Sequence, residues 1–263
     1  VSDTGGRPGG LSVDLRDTVS VVVGGSVGIG QAIALALAAS GSTVVVAARD
    51  EGRLTETCER AVRQGGTAYA AQVDVTSVTS IAGLAETVVA RHGVPRVLVN
   101  SAGVMVTKPA FQLTPDDWDT VHATQLRGPF LTCQAFGRQM ATAGYGKIVN
   151  LSSVWAYTVG RGRSAYSAAK AGLSHLTAAL AAEWAADGIR VNAIAPSATR
   201  TPGAERRMRD EPGREEYLLE RTPLRRIATP DDVVGAALFL ASAASDFVTG
   251  ETILVDGGWR AAK

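Results

Sequence analysis

The sequence predicts one doubly wound α/β domain, a parallel sheet with helices on both faces. Three observations carry this. Short apolar runs rich in β-branched residues alternate with longer Ala- and Leu-rich stretches along the chain. The runs lack polar alternation, as strands buried on both faces do, and the connections between them are long enough for crossover helices. The 263 residues, 46% of them hydrophobic, also suit one large domain without a compositional seam.

In chain order, residues 19–23 (VSVVV) read as the first strand and 31–40 (QAIALALAAS) as the first helix. Strands at 43–47 and 68–73 flank a helix at 51–64 with a polar face, and a helix at 77–92 leads to a strand at 97–100. Long helices at 116–142 and 166–186 lie on either side of a strand at 147–151. A strand at 190–194, a helix at 231–242 and a strand at 252–255 complete the alternation. Residues 202–226, dense in Arg, Glu and Pro, break the rhythm. They follow the penultimate strand, so about 197–226 reads as a small substrate lid over the carboxyl ends of the strands, where ligands bind in this architecture. Residues 1–12 read as a flexible tail before a single domain over 13–263.

Composition removes several classes of function. The 26 basic and 25 acidic residues leave a net charge of +1, which argues against nucleic-acid and membrane-surface partners. No apolar run nears the roughly 20 residues of a membrane span, and the first residues lack the charged-then-apolar order of a signal peptide. Cys58 and Cys133 stand alone in apolar stretches, which suits a reducing, cytoplasmic setting without disulfides. His92, His122 and His175 share no metal-ligand spacing with other residues, so no metal is expected.

The chemistry-bearing motifs fall after strands. Gly24-Gly25-Ser26-Val27-Gly28-Ile29-Gly30 lies between the first strand and the first helix. A tight turn without side chains lets backbone N–H groups at the helix N-terminus approach a pyrophosphate. Asp50 is placed to cap the second helix rather than to hold a ribose hydroxyl. Ala48 at the strand tip leaves room for a phosphate and Arg49 beside it is suited to pair with one, so NADP(H) is preferred over NAD(H). Asp74 and Val75 are candidates for an adenine edge, and Asn100-Ser101-Ala102-Gly103 closes the fourth strand with residues small enough for close approach to a cofactor. Tyr166 and Lys170, four apart, share one helix face. A nearby ammonium stabilises phenolate, so Tyr166 is expected to exchange a proton nearer neutrality than its reference of about 10. Ser153 follows the strand that should face this helix.

Together, Gly24/Gly28/Gly30, Asn100 to Gly103, Ser153, Tyr166/Lys170, Pro196 and Val255-Asp256-Gly257-Gly258 resemble the short-chain dehydrogenases/reductases over about residues 13–260. The resemblance implies a seven-stranded Rossmann-type sheet and hydride transfer between nicotinamide C4 and a carbonyl or secondary alcohol. It implies Tyr166 as general acid in reduction and base in oxidation, Lys170 on the nicotinamide ribose, and Ser153 on the substrate oxygen. It places Ser26 and Ile29 in the phosphate turn, Asn100, Ala102 and Gly103 along the cofactor, and Pro196, Thr199 and Thr201 over the nicotinamide. It also implies a homotetramer, or a homodimer, built on the 116–142 and 166–186 helices.

Several residues depart from the family pattern. Val23 replaces a Thr that braces the turn, Ser101 an Asn, and Ser197 a Gly beside the nicotinamide. Gln125 falls where the family carries a catalytic Asn that anchors a water on the proton path, and the longer side chain is expected to slow that relay. His122 is read as packing. For the substrate, Trp155, Tyr157 and Arg161 or Arg163 follow Ser153 in the adjoining loop, with Met105 to Lys108 as another wall. Arg206, Arg207 and Arg209 are offset by Glu205, Asp210 and Glu211 and read as a solvated face. The stretch 108–200 and the ending at Trp259 are similar to gluconate and deoxygluconate dehydrogenases and to 3-oxoacyl-carrier-protein reductases. The leading reading is therefore a small ketone or sugar-acid substrate. A carrier-bound 3-oxoacyl thioester is the alternative, weakened because Gly144 and Asp187 stand where those reductases carry basic docking residues. A cofactor-binding regulator with weakened catalysis is a third reading.

Overall fold

The computed structural model describes residues 13–262, so the tail expected over 1–12 lies outside the described residues. One sheet holds seven parallel strands in the order β3-β2-β1-β4-β5-β6-β7. They are β1 Val19–Val23, β2 Thr43–Ala48, β3 Thr67–Gln72, β4 Val97–Asn100, β5 Gly146–Leu151, β6 Ile189–Pro196 and β7 Thr252–Val255. The helices are α1 Gly28–Ala39, α2 Glu51–Arg63, α3 Val78–His92, α4 Pro115–His122, α5 Gly128–Ala143, α6 Ser164–Trp184, α7 Pro202–Asp210, α8 Arg214–Arg221 and α9 Pro230–Ala241. Strand order reverses between β1 and β4, which opens a crevice at their carboxyl ends.

Successive strand residues feed opposite cores. Val22, Val44, Val46 and Val99 meet Ile33 and Leu37 of α1, Leu54 of α2 and Leu240 of α9 on one face. Val21, Val45, Leu98 and Ile148 meet Leu84 of α3, Phe136 of α5 and Leu180 of α6 on the other. Both faces are covered, so neither set of alternate positions needs to be polar. Burial of each such side chain contributes about 1.5–3 kcal/mol, and this rigid frame sets the positions of the strand ends that carry the site.

The helix expected over 116–142 is interrupted. It begins on a capping box, in which the Asp117 N–H donates to Thr114 Oγ1 at 3.1 Å and the Thr114 N–H donates to Asp117 Oδ2 at 3.0 Å, with Pro115 following. Ala123–Arg127 then forms a π turn, in which the Gly128 N–H donates to the Ala123 carbonyl. Pro129 supplies the reason. It has no N–H to donate to residue 125, four positions back, so the α-helical ladder cannot continue in register.

The segment expected as a lid folds as α7 and α8 and has a closed base. Thr199 and Ala228 form a parallel bridge, the Arg200 N–H donates to the Ala228 carbonyl at 2.8 Å, and the Ala228 N–H donates to the Ala198 carbonyl at 3.2 Å. The chain therefore leaves and re-enters the frame at one point. Among the described residues, both cysteines are free, no group of three His, Cys, Asp or Glu is arranged to hold a metal ion, and no helix is long and apolar enough to cross a membrane.

Candidate active site

Two adjoining spaces open at the carboxyl end of the sheet, a groove of about 570 Å³ and a cavity of about 180 Å³. Tyr166, Pro196 and Thr201 line both. In the groove, Gly24 (φ +83°) and Gly28 (φ +60°) form the turn from β1 into α1. A Cβ on Gly24 would lie 2.3 Å from the Ala102 amide nitrogen, so only glycine lets this turn rest against the end of β4. Ser26, Gly28 and Ile29 line the groove, and no acidic residue occupies the first turn of α1. A helix start of this shape, free of acidic side chains, suits an anionic group. Gly30 lies inside α1, where a Cβ would meet the Gly24 carbonyl oxygen at 2.2 Å.

Farther along, Ala48, Arg49, Asp50 and Arg53 line the groove, with Arg49 exposed. Asp50 caps α2, accepting from the Arg53 N–H at 3.1 Å, and pairs with the Arg53 guanidinium at 3.3 Å. Asp74 Oδ1 accepts from the Thr76 N–H at 2.9 Å and the Thr76 hydroxyl at 2.8 Å. These bonds hold its carboxyl below the usual range, and Arg49 adds to the effect. Val75, Ala102 and Gly103 also line this space, but Asn100 does not. Its buried side chain accepts from the Thr132 hydroxyl at 2.6 Å and donates to Asn150 Oδ1 at 2.9 Å. The Asn100 side chain thus joins β4, β5 and α5 beneath the groove rather than lining it. Gln125, carried on the π turn, donates from Nε2 to the Val104 carbonyl at 2.7 Å, while its Oε1 is buried without a hydrogen-bond partner.

At the junction of groove and cavity, Ser152 fastens β5 to α6. Its hydroxyl donates to the Lys170 carbonyl at 3.2 Å and lies 2.7 Å from the Ser174 hydroxyl. That contact brings Ser153, at the end of β5, opposite Tyr166 on α6. Lys170 Nζ donates to the Leu151 carbonyl and lies 5.8 Å from the Tyr166 ring centroid. Burial pushes the Lys170 ammonium down to about 7. The expected lowering of Tyr166 by Lys170 is corrected here. Burial raises the phenol above its ordinary value, and the groups that oppose this are the Ser153 hydroxyl, Arg163 and Arg207.

The cavity extends from Ser153 and Tyr166 to Trp155 and Trp259, whose rings meet edge to face at 5.8 Å. Ser197 and Thr199 lie in its wall, and Met208 and Leu218 bring the lid helices over it. Arg161 is exposed and lines neither space, whereas Arg163 is buried and lines the cavity. Arg163 lies three residues before Tyr166 and therefore shares its face, a spacing that was legible in the sequence. Arg206 and Arg209 are exposed as expected, but Arg207 is half-buried and points inward with Ala204 and Met208. The i, i+3, i+4 spacing of these residues is the signal that charge counting obscured. His122 stacks on Trp118 at 4.1 Å between ring centroids, with Nδ1 2.9 Å from the Trp118 carbonyl, so it packs.

The fold, the glycine turn and the Ser–Tyr–Lys constellation define a nicotinamide-dependent oxidoreductase, and the chain belongs to the short-chain dehydrogenase/reductase family. A family model described as enoyl-(acyl carrier protein) reductase matches residues 24–260. The chain is 35% identical over 249 residues to 2-dehydro-3-deoxy-D-gluconate 5-dehydrogenase of Dickeya dadantii, covering 94% of this chain and 97% of that one. It is 39% identical over 252 residues to the L-tagatose-forming galactitol 2-dehydrogenase of Cereibacter sphaeroides, covering 93% and 96%. The crystal structure of a gluconate 5-dehydrogenase from Burkholderia cenocepacia J2315, in complex with NADP and tartrate, superposes with a TM-score of 0.91 at 34% identity, covering 95% of this chain and 98% of that one. The chain is an oxidoreductase acting between CH–OH and C=O.

Proposed function

We propose that this protein moves hydride between NADP(H) and a small ketone or secondary alcohol of the sugar-acid or polyol type. The observation that carries the reading is the convergence of Ser153, Tyr166 and Lys170 where the groove meets the cavity. Gly24, Ser26, Gly28 and Ile29 would hold the pyrophosphate, Arg49 the 2′-phosphate, and Asp74 with Val75 the adenine. Gly30 would shape that turn from within α1, and Ala102 and Gly103 would flank the cofactor at the end of β4. Pro196, Thr199 and Thr201 would lie beside the nicotinamide, which when bound supplies or accepts the hydride. Ser153 and Tyr166 hold the substrate oxygen. In reduction the Tyr166 hydroxyl gives its proton to that oxygen, and in oxidation the phenolate takes it back. Lys170 would bond the nicotinamide ribose, and its depressed pKa lets it pass a proton near neutrality. Gln125 stands on that proton path.

The cavity of about 180 Å³ ends against Trp155 and Trp259, which supports a small substrate over a carrier-bound acyl chain. Tyr166→Phe tests the reading. It is expected to lower kcat by about 10²–10⁴ while NADPH binding, followed by nicotinamide fluorescence, persists. Undiminished turnover in this variant would refute the assignment of Tyr166.

A further inference from the structure

The sequence treated the lid arginines as a solvated face, and the structure separates them. Arg200, Arg214 and Arg226 are neutralised by neighbours. Arg200 pairs with Glu205 at 2.8 Å and with Glu215, and Arg214 pairs with Glu211 at 2.5 Å. Two arginines at the cavity are treated differently. Arg163, 5% exposed, lies over the Trp155 ring at 5.1 Å from the centroid. Its Nη1 is directed at the thioether sulfur of Met105. Arg207 reaches the same sulfur from the lid, with Nη1 at 3.2 Å, and its Nε is buried with no hydrogen-bond partner. Among the described residues, neither guanidinium has a carboxylate at ion-pair distance. A thioether is a weak acceptor, and a buried cation without a counter-charge costs several kcal/mol. Glu211, whose charge acts on both guanidiniums, is itself paired with Arg214.

The two cations face the space in front of Ser153 and Tyr166. Burial and the neighbouring Arg214 and Arg207 push Arg163 down to about 10, and burial lowers Arg207 as well. Both remain charged at neutral pH. Resting on the oxidoreductase reading above, the geometry points to a carboxylate-binding subsite formed by Arg163 and Arg207. The substrate is then a small hydroxy or oxo acid. Its reacting carbon lies at Ser153 and Tyr166 and its carboxylate between the two guanidiniums, whose planar forks match two carboxylate oxygens. Arg163 belongs to the frame and Arg207 to α7, so the bound carboxylate bridges lid and frame. A neutral polyol leaves both cations unanswered.

The test uses the full chain with NADP+ and three probes on one carbon skeleton: D-gluconate, D-glucitol and D-glucose 6-phosphate. The wild-type protein is expected to favour gluconate over glucitol by about 100-fold or more in kcat/KM. Arg207→Met and Arg163→Met are expected to reduce that ratio by about 30-fold or more, chiefly through the KM for gluconate, and Arg207→Lys to restore part of it. Thermal stabilisation of the NADP+-bound protein by gluconate and by tartrate gives a readout independent of turnover. It should be present in the wild type and lost in Arg207→Met, whose NADPH affinity verifies its fold. Equal use of gluconate and glucitol, or preference for glucose 6-phosphate, overturns the carboxylate subsite and leaves the oxidoreductase reading in place. Stabilisation by carboxylates that survives in both methionine variants also overturns the subsite. Absence of turnover with every alcohol and ketone, alongside intact carboxylate binding, instead refutes the oxidoreductase reading on which the subsite rests.

Discussion

Arg49 is the exposed side chain that we propose decides between two cofactors differing by a phosphate. It lines the groove beyond the tip of β2, next to Ala48, where Asp50 is already engaged in capping α2 and pairing with Arg53. A charge-assisted bond of this kind contributes about 1.5–3 kcal/mol. Arg49→Ala is therefore expected to raise the KM for NADPH about 10- to 100-fold while the KM for NADH changes far less. Parallel loss with both cofactors in steady-state assays would remove Arg49 from this role. At this scale the sequence was legible wherever local geometry decides. Asp50 sits where a helix must be capped and does cap α2. It was less legible where the deciding contact is distant. Nothing near Asn100 announces that its amide is engaged by Thr132 and Asn150, and nothing near Arg207 announces Met105.

Among the elements, the π turn between α4 and α5 bears on the proposed proton path, because it carries Gln125. The amide spans to the Val104 carbonyl, and the vacant side of Gly103 accommodates it, since a Cβ there would lie 2.3 Å from Gln125 Nε2. Gln125→Asn shortens the arm and forfeits that bond, at a cost of about 1 kcal/mol. The variant should melt about 2–4 °C lower yet turn over faster, as the shorter side chain clears the proton path. Equal turnover at every pH would show that the glutamine is merely tolerated. The turn itself was visible only as Pro129. A π turn inserts a single residue and leaves helix-prone sequence on both sides, so the sequence predicts one continuous helix where the ladder slips.

For the whole molecule, the strand pattern specified the sheet because the central strands β1, β2, β4, β5 and β6 are buried on both sides, and burial leaves no polar alternation to confuse the reading. Assembly is less directly encoded. Ala171, Ala178, Ala179 and Ala182 are exposed along α6, a surface of small side chains that allows two helices to approach closely. We propose a homotetramer built on α5 and α6, as the family resemblance implies. Light scattering should report four chains per particle, and Ala178→Glu should shift the population to smaller species. A wild-type monomer at micromolar concentration would contradict this. The closed base of the lid has a consequence for how such a protein can change. The bridge between Thr199 and Ala228 already joins the two ends of the excursion. Lengthening or shortening what lies between them therefore alters chain entropy only logarithmically, about 0.6 kcal/mol for each doubling in length. The segment carrying α7 and α8, to which we assign part of substrate recognition, is thus an exchangeable cassette: its length and sequence can be rewritten, in nature or by grafting, while the frame beneath it stays closed.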